Sequence, residues 1–240
     1  MEANRQIEDG TFETFETAKR GYAECVPALA YSMMIAMVDA GCRIGFGREE
    51  AQRQTVATMR MTSKLLNETK RHPHELSDAW AAQGGVAIET LYDTRRSGTR
   101  GMVIEAARAA QAAAGKMRPD VLTFPYAVSR QHSKKSSEKL ATTAPFDGFG
   151  AIGALWMMDL ALAMIYAGVD AGLSHAEARE VALGGLRNVA DAAEQTGLHP
   201  VVLRDRLMNL SSAASAAVTE LETNGFYATL AEGMVTGCNR

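Results

Sequence analysis

The sequence predicts an all-α fold built from two homologous helical bundles. Three observations carry that expectation. The chain repeats itself at a shift of 127 positions: His72-Pro73 recurs as His199-Pro200, Ala40-Gly41 as Ala167-Gly168, and Glu50-Ala51 as Glu177-Ala178. Gly45, Arg60, Leu76, Asp78, Gly98 and Glu105 meet Gly172, Arg187, Leu203, Asp205, Gly225 and Glu232 at the same shift. An ungapped shift with this many matches is an internal duplication of a small domain. No stretch shows the β-branched alternation of a strand, and alanine and methionine abound while aromatics are only 6%, which favours close helix packing. Finally, two runs around Cys25–Val38 and Ala151–Ala167 are apolar nearly all round, as helices in the middle of a bundle must be.

In chain order, residues 1–10 are expected to be a loose tail, 11–115 the first repeat, 116–144 a linker and 145–240 the second repeat. A first helix is expected from about Phe12 to Ile44, disturbed near Gly21 and Pro27. Arg48–Lys70 is amphipathic, with Val56, Met59, Ser63 and Leu66 on one stripe. His72-Pro73 stops it and starts a short helix, because proline is pre-set for a first helical turn. Val86–Arg96 and Gly101–Ala114 follow. The linker holds Pro119, Pro125 and the basic, serine-rich run Ser129–Lys139. His132, Lys134 and Lys135 lie in that run, which reads as a solvated loop. In the second repeat, Gly148–Gly172 is the apolar helix. Ser174 with Glu177 has the capping-box spacing ahead of Ala176–Thr196. Val201–Leu207, Ser211–Thr223 and a last helix ending near Gly237 complete the plan.

Composition narrows function. Net charge is −3, so no nucleic-acid or anionic-membrane partner is expected. Three cysteines (Cys25, Cys42, Cys238) without CxxC spacing read as reduced thiols of a cytoplasmic protein. Met1–Gly10 is polar and lacks a signal-peptide core. Ala151–Ala167 contains Asp159 and is short for a membrane span, so a buried core helix is expected. His72-Pro-His74 lacks a third metal ligand in sight, and no metal is expected.

The segments Asp39-Ala-Gly-Cys-Arg-Ile-Gly45 and Thr69-Lys-Arg-His-Pro-His-Glu-Leu-Ser-Asp78, together with Tyr166-Ala-Gly-Val-Asp-Ala-Gly-Leu173 and Thr196-Gly-Leu-His-Pro-Val-Val-Leu-Arg-Asp205, resemble the C-terminal domain of pyrroline-5-carboxylate reductase. That resemblance implies a 6-phosphogluconate dehydrogenase C-terminal-like helical fold, in which two chains intertwine as a dimer. Here it implies two such domains fused into a covalent pseudo-dimer. The family also carries a nucleotide-binding domain, and no strand followed by GxGxxG is found here, so no nicotinamide cofactor is expected. Where the family has Ser-Gly-Ser-Gly-Pro, this chain has Ala23-Glu24-Cys25-Val26-Pro27. Where it has the substrate-holding Ser-Pro-Gly-Gly-Thr-Thr, this chain has Ala82-Gln83-Gly84-Gly85-Val86-Ala87 and, in the second repeat, Asn209-Leu210-Ser211-Ser212-Ala213-Ala214. The final threonine, a proton-donor candidate in the family, is alanine in both.

Candidate catalytic residues are therefore the groups newly placed near the former interface. Glu24 beside Cys25 is a possible acid–base or nucleophilic pair, against a solvated helix-end glutamate. Asp159 is either a buried general acid or base or an aspartate paired across the bundle. Asp147 is a candidate or an ordinary N-cap, and Tyr31 a candidate or a core side chain. Gln83, Gly84, Gly85, Asn209 and Ser211 are candidate substrate contacts, since a helix N-terminus offers free N–H groups to a carboxylate. Two functions follow as expectations. One is a nicotinamide-independent isomerase, lyase or cyclase acting on a small amino or imino acid. The other is a non-catalytic metabolite-binding or partner protein, whether a homo-oligomer or the companion of a separate reductase. Arg60 with Arg187, and Glu105 with Glu232, read as structural helix-face charges.

Overall fold

The structure is a computed structural model, and it describes residues 2–81, 86–114 and 148–238. Ten α-helices and no strand occur among the described residues. They are α1 (Glu2–Arg43), α2 (Arg48–Thr69), α3 (Pro73–Ala81), α4 (Val86–Arg96), α5 (Thr99–Ala114), α6 (Gly148–Asp170), α7 (His175–Thr196), α8 (Pro200–Leu210), α9 (Ser212–Thr223) and α10 (Phe226–Cys238). Shifted by 127 positions, the ends of α2 fall on those of α7, and the starts of α3 and α5 fall on those of α8 and α10. The left-handed backbone positions repeat as well. Gly45 (φ 105°) answers Gly172 (90°), Lys70 (52°) answers Gly197 (63°), and Gly98 (80°) answers Gly225 (73°). The same turn chemistry closes the same helices in both halves.

Two details differ from the sequence expectation. The first helix begins at Glu2 rather than near Phe12, and it runs unbroken through Gly21 and Pro27 to Arg43. Once nucleated, a helix gains one backbone bond per added residue, so a polar segment without an apolar stripe still extends it. The expected capping box is present: Ser174 Oγ accepts from the Glu177 N–H, and the Glu177 carboxylate accepts from the Ser174 N–H. His72 and His199 act alike, each Nδ1 accepting a backbone N–H two residues on at 3.3 Å.

The halves interlock rather than sit apart. Helix α1 packs on α7, α8, α9 and α10 of the other half, while α6 packs on α2, α3, α4 and α5. Helices α1 and α6 also touch each other at the centre. Both contain stretches long and apolar enough to cross a membrane, yet 89% of the 18-residue apolar window in each is buried inside this bundle. Close approach is set by glycine. A Cβ on Gly168 would lie 2.7 Å from the Ala178 Cβ and 2.9 Å from the Tyr22 ring. At the repeat-equivalent Gly41, the neighbours are Ala51 at 3.0 Å and Phe149 at 3.2 Å, the equivalents of Ala178 and Tyr22. Each half thus presses an aromatic ring onto the glycine of the other half's central helix.

Helices α2 and α7 complete the exchange. Gln52 Nε2 donates to the carbonyls of Gly197 and Leu198 beyond the end of α7 (3.4 and 3.2 Å). Its equivalent, Arg179, donates from Nη2 to the carbonyls of Leu66 and Arg71 at the end of α2 (2.8 and 3.1 Å). Carbonyls orphaned by the helix ends are satisfied across the halves. Arg60 adds an exposed ion pair to Glu194, worth little in water.

Candidate functional site

Five sequence candidates lie along the middle of α1 and around the junction of α8 and α9. Glu24, on α1, accepts a hydrogen bond at 2.8 Å from the Ser211 hydroxyl. Ser211 caps α9, accepting from the Ala214 N–H at 3.1 Å. The structure therefore joins two predicted residues from opposite halves, and the other Glu24 oxygen is buried with no partner. Cys25 does not join them. Its thiol is 0% exposed and donates to the Tyr22 carbonyl at 3.1 Å. Burial pushes its pKa far above the usual thiol range, and the neighbouring Glu24 charge adds to the rise. A nucleophilic thiolate is disfavoured there. Tyr31 is a core residue whose phenol is pushed up by burial to about 12. Asn209 is exposed near the end of α8. Gln83, Gly84, Gly85 and Asp147 lie outside the described residues, as do His132, Lys134 and Lys135.

Asp159 is the centre of a larger arrangement. It is 7% exposed on α6. Arg95 of α4 grips it with two nitrogens, Nε at 2.9 Å and Nη2 at 2.7 Å, and Arg100 of α5 donates to Oδ1 at 2.6 Å. Arg95 Nη2 also meets the Ser77 hydroxyl of α3 at 3.0 Å. The four equivalent positions in the other half, Ser32, Glu222, Tyr227 and Arg204, form a second cluster. Tyr227 donates to Ser32 at 2.9 Å, and Arg204 donates to the Tyr227 oxygen at 2.9 Å and to Glu222 at 3.3 Å. Each cluster ties the central helix of one half to the three last helices of the other. The partners have been redistributed: where one cluster has aspartate, two arginines and serine, its counterpart has serine, glutamate, tyrosine and arginine. Burial raises the Tyr227 pKa, with its bonds to Ser32 and Arg204 working the other way.

Asp159 is thus gripped by two guanidiniums, which occupy both of its oxygens. Sequence reading left it open between catalyst and paired aspartate, and the pairing is what the geometry displays. Arg95, Arg100 and Ser77 escaped notice because each reads as an ordinary amphipathic-helix position. The usable signal was comparison of the repeats, since Arg95 stands opposite Glu222 and Arg100 opposite Tyr227.

A partly open cleft borders Asp159. It spans about 260 Å³ including its mouth, and the enclosed part has room for about one water molecule. Met33, Thr99 and Val103 line it together with their repeat equivalents Leu160, Phe226 and Leu230. Three positions and their counterparts at the 127-residue shift therefore meet in one cleft. Arg100, Trp156, Asp159 and Ala163 complete the wall. Among the described residues no group of His, Cys, Asp and Glu could hold a metal ion.

The family described as pyrroline-5-carboxylate reductase dimerisation matches residues 18–117 and 148–240. Curated relatives agree. The pyrroline-5-carboxylate reductase of Synechocystis sp. is 33% identical over 98 residues, covering 41% of this chain and 37% of the relative. That of Treponema pallidum is 34% identical over 88 residues, 37% of this chain and 34% of the relative. That of Aquifex aeolicus is 34% identical over 100 residues, 42% of this chain and 36% of the relative. The chain spans about a third of the length of these relatives. No solved structure matches it. With two matched segments that take in both interlocked halves, the chain belongs to the pyrroline-5-carboxylate reductase dimerisation family.

Proposed function

We propose that this chain is a dimerisation domain closed upon itself: a tandem duplication whose two copies form a covalent pseudo-dimer, serving as a cytoplasmic helical scaffold rather than a catalyst. The observation that carries this reading is the paired set of cross-half polar clusters at repeat-equivalent positions. Such pairs are what a two-fold interface leaves behind when both partners are joined and then diverge. The candidate catalytic groups support the same side. Cys25 and Tyr31 are buried with raised pKa values, and Asp159 is ion-paired with Arg95 and Arg100. Sedimentation of the intact chain tests the proposal. One chain per particle across a wide concentration range is expected, because the ordinary partner surface is already occupied. A concentration-dependent dimer through α1 and α6 would contradict it.

A second reading rests on Glu24. Its unpartnered buried oxygen, beside the Ser211 cap at the start of α9, suits a base acting on a small amino or imino acid without a nicotinamide cofactor. Incubation with cyclic amino and imino acids, followed by proton NMR of the products, tests it. Turnover that falls about a hundredfold in Glu24→Gln would establish the enzyme. Absence of any product would leave the scaffold reading standing.

A further inference from the structure

We infer that the cleft on the pseudo-two-fold axis binds a small carboxylic acid at its mouth, with one carboxylate oxygen in the water-sized enclosed part and a short apolar tail in the open part. Three features converge there. The first is charge. One aspartate faces two arginines, and Asp159 and Arg100 are the charged residues among those lining the cleft. The cluster therefore holds one positive charge in excess beside a partly open cleft, where Arg100 keeps 30% of its side chain exposed and an anion can reach it.

The second feature is a pair of idle donors. Arg100 spends Nη2 on Asp159, but its Nε–H is buried without an acceptor. Trp156 is 1% exposed, lines the same cleft, and its indole Nε1–H also lacks an acceptor. Buried donors are normally satisfied, so two in one cleft mark a place for acceptor oxygens. A carboxylate supplies two of them, with charge. The third is the lining. Met33, Val103, Leu160, Phe226 and Leu230 are apolar, which favours a carbon tail over a hydrated inorganic ion.

Duplication explains why the site occurs once. On the axis of a true homodimer, the two sides of such a cleft would be identical. Here the equivalents of Arg100, Trp156 and Asp159 are Tyr227, Leu29 and Ser32. Tyr227 is already bonded to Ser32 and Arg204, and Leu29 carries no donor. Fusion allows one side to gain two arginines around a single carboxylate while the other keeps a different set of partners. This inference does not depend on whether the chain is a scaffold or an enzyme.

The chain has two tryptophans, Trp80 and Trp156, so two indole N–H signals appear in a proton–nitrogen correlation spectrum, and Trp80→Phe assigns them. Isobutyrate, uncharged isobutyramide and sodium chloride are titrated into the full chain at matched ionic strength. A saturable shift of the Trp156 signal with isobutyrate is expected, with the other two at least about tenfold weaker. Arg100→Gln, which leaves Asp159 paired with Arg95, should weaken isobutyrate binding by about tenfold or more. Trp156→Phe, read by calorimetry, gives a second variant should Arg100→Gln fail to fold, and a weaker isobutyrate response is expected there also. No shift at Trp156, an equal response to chloride, or binding unchanged in the variants would overturn the assignment.

Discussion

At the scale of single residues, the strongest constraint is charge placed where water is scarce. Asp159 survives as a buried charge in the apolar stretch of α6 because Arg95 and Arg100 surround it. Asp159→Asn should therefore cost about 3 kcal/mol or more, since it strands two guanidiniums in a buried cluster. Urea unfolding checks it, and a change below about 1 kcal/mol would mean the arginines find water instead. The histidines make a second prediction. Burial lowers the folded-state pKa of His72, and neighbouring His175 lowers it further; burial also lowers that of His199, with Arg48 adding to it. Both start from an ordinary value of 6.5. The unfolded chain then binds more protons than the folded chain near and below that value. Stability should be level above about pH 7.5 and decline as pH falls through 6.5 toward about pH 5.5. The double variant His72→Asn, His199→Asn keeps a side chain able to cap each helix. Its melting temperature should decline less over the same window.

At the scale of helices, much was legible in advance. The stripe of Val56, Met59, Ser63 and Leu66 is buried on α2 as its periodicity implies, and the Ser174–Glu177 capping box is formed. These are local properties, set by spacing and hydrogen-bond chemistry within a turn or two. The start of α1 was not legible, because a polar helix leaves no hydrophobic period to read. Nor was the role of Arg95 and Arg100, whose partner lies 64 and 59 positions away in sequence. Glu24 and Ser211 were both noticed, but their hydrogen bond joins residues 187 positions apart, and no local rule pairs them. Helix spacing offers a sharper test. Gly168→Ala should destabilise the fold by about 1–3 kcal/mol, because its methyl group meets Ala178 and the Tyr22 ring below 3.0 Å. Gly41→Ala, with neighbours at 3.0 Å and beyond, should cost less. Equal losses in thermal or urea unfolding would show that the two crossings relax alike.

At the scale of the whole molecule, the repeat at 127 positions was plain from sequence, while the interlocking was reached only through resemblance. Sequence identity between halves cannot say whether they sit side by side or exchange helices. In the structure α1 and α6 each pack on helices of both halves, which supports the exchanged arrangement proposed above. The covalent connection should then matter little once the fold has formed. The most direct measurement is native mass after a single cut. A specific protease site placed within residues 129–139 of the otherwise intact chain is cleaved under native conditions. The two fragments should migrate as one particle of unchanged mass and separate only in denaturant. Fragments that part in buffer, each keeping its own helical spectrum, would show two independent bundles and contradict the closed pseudo-dimer.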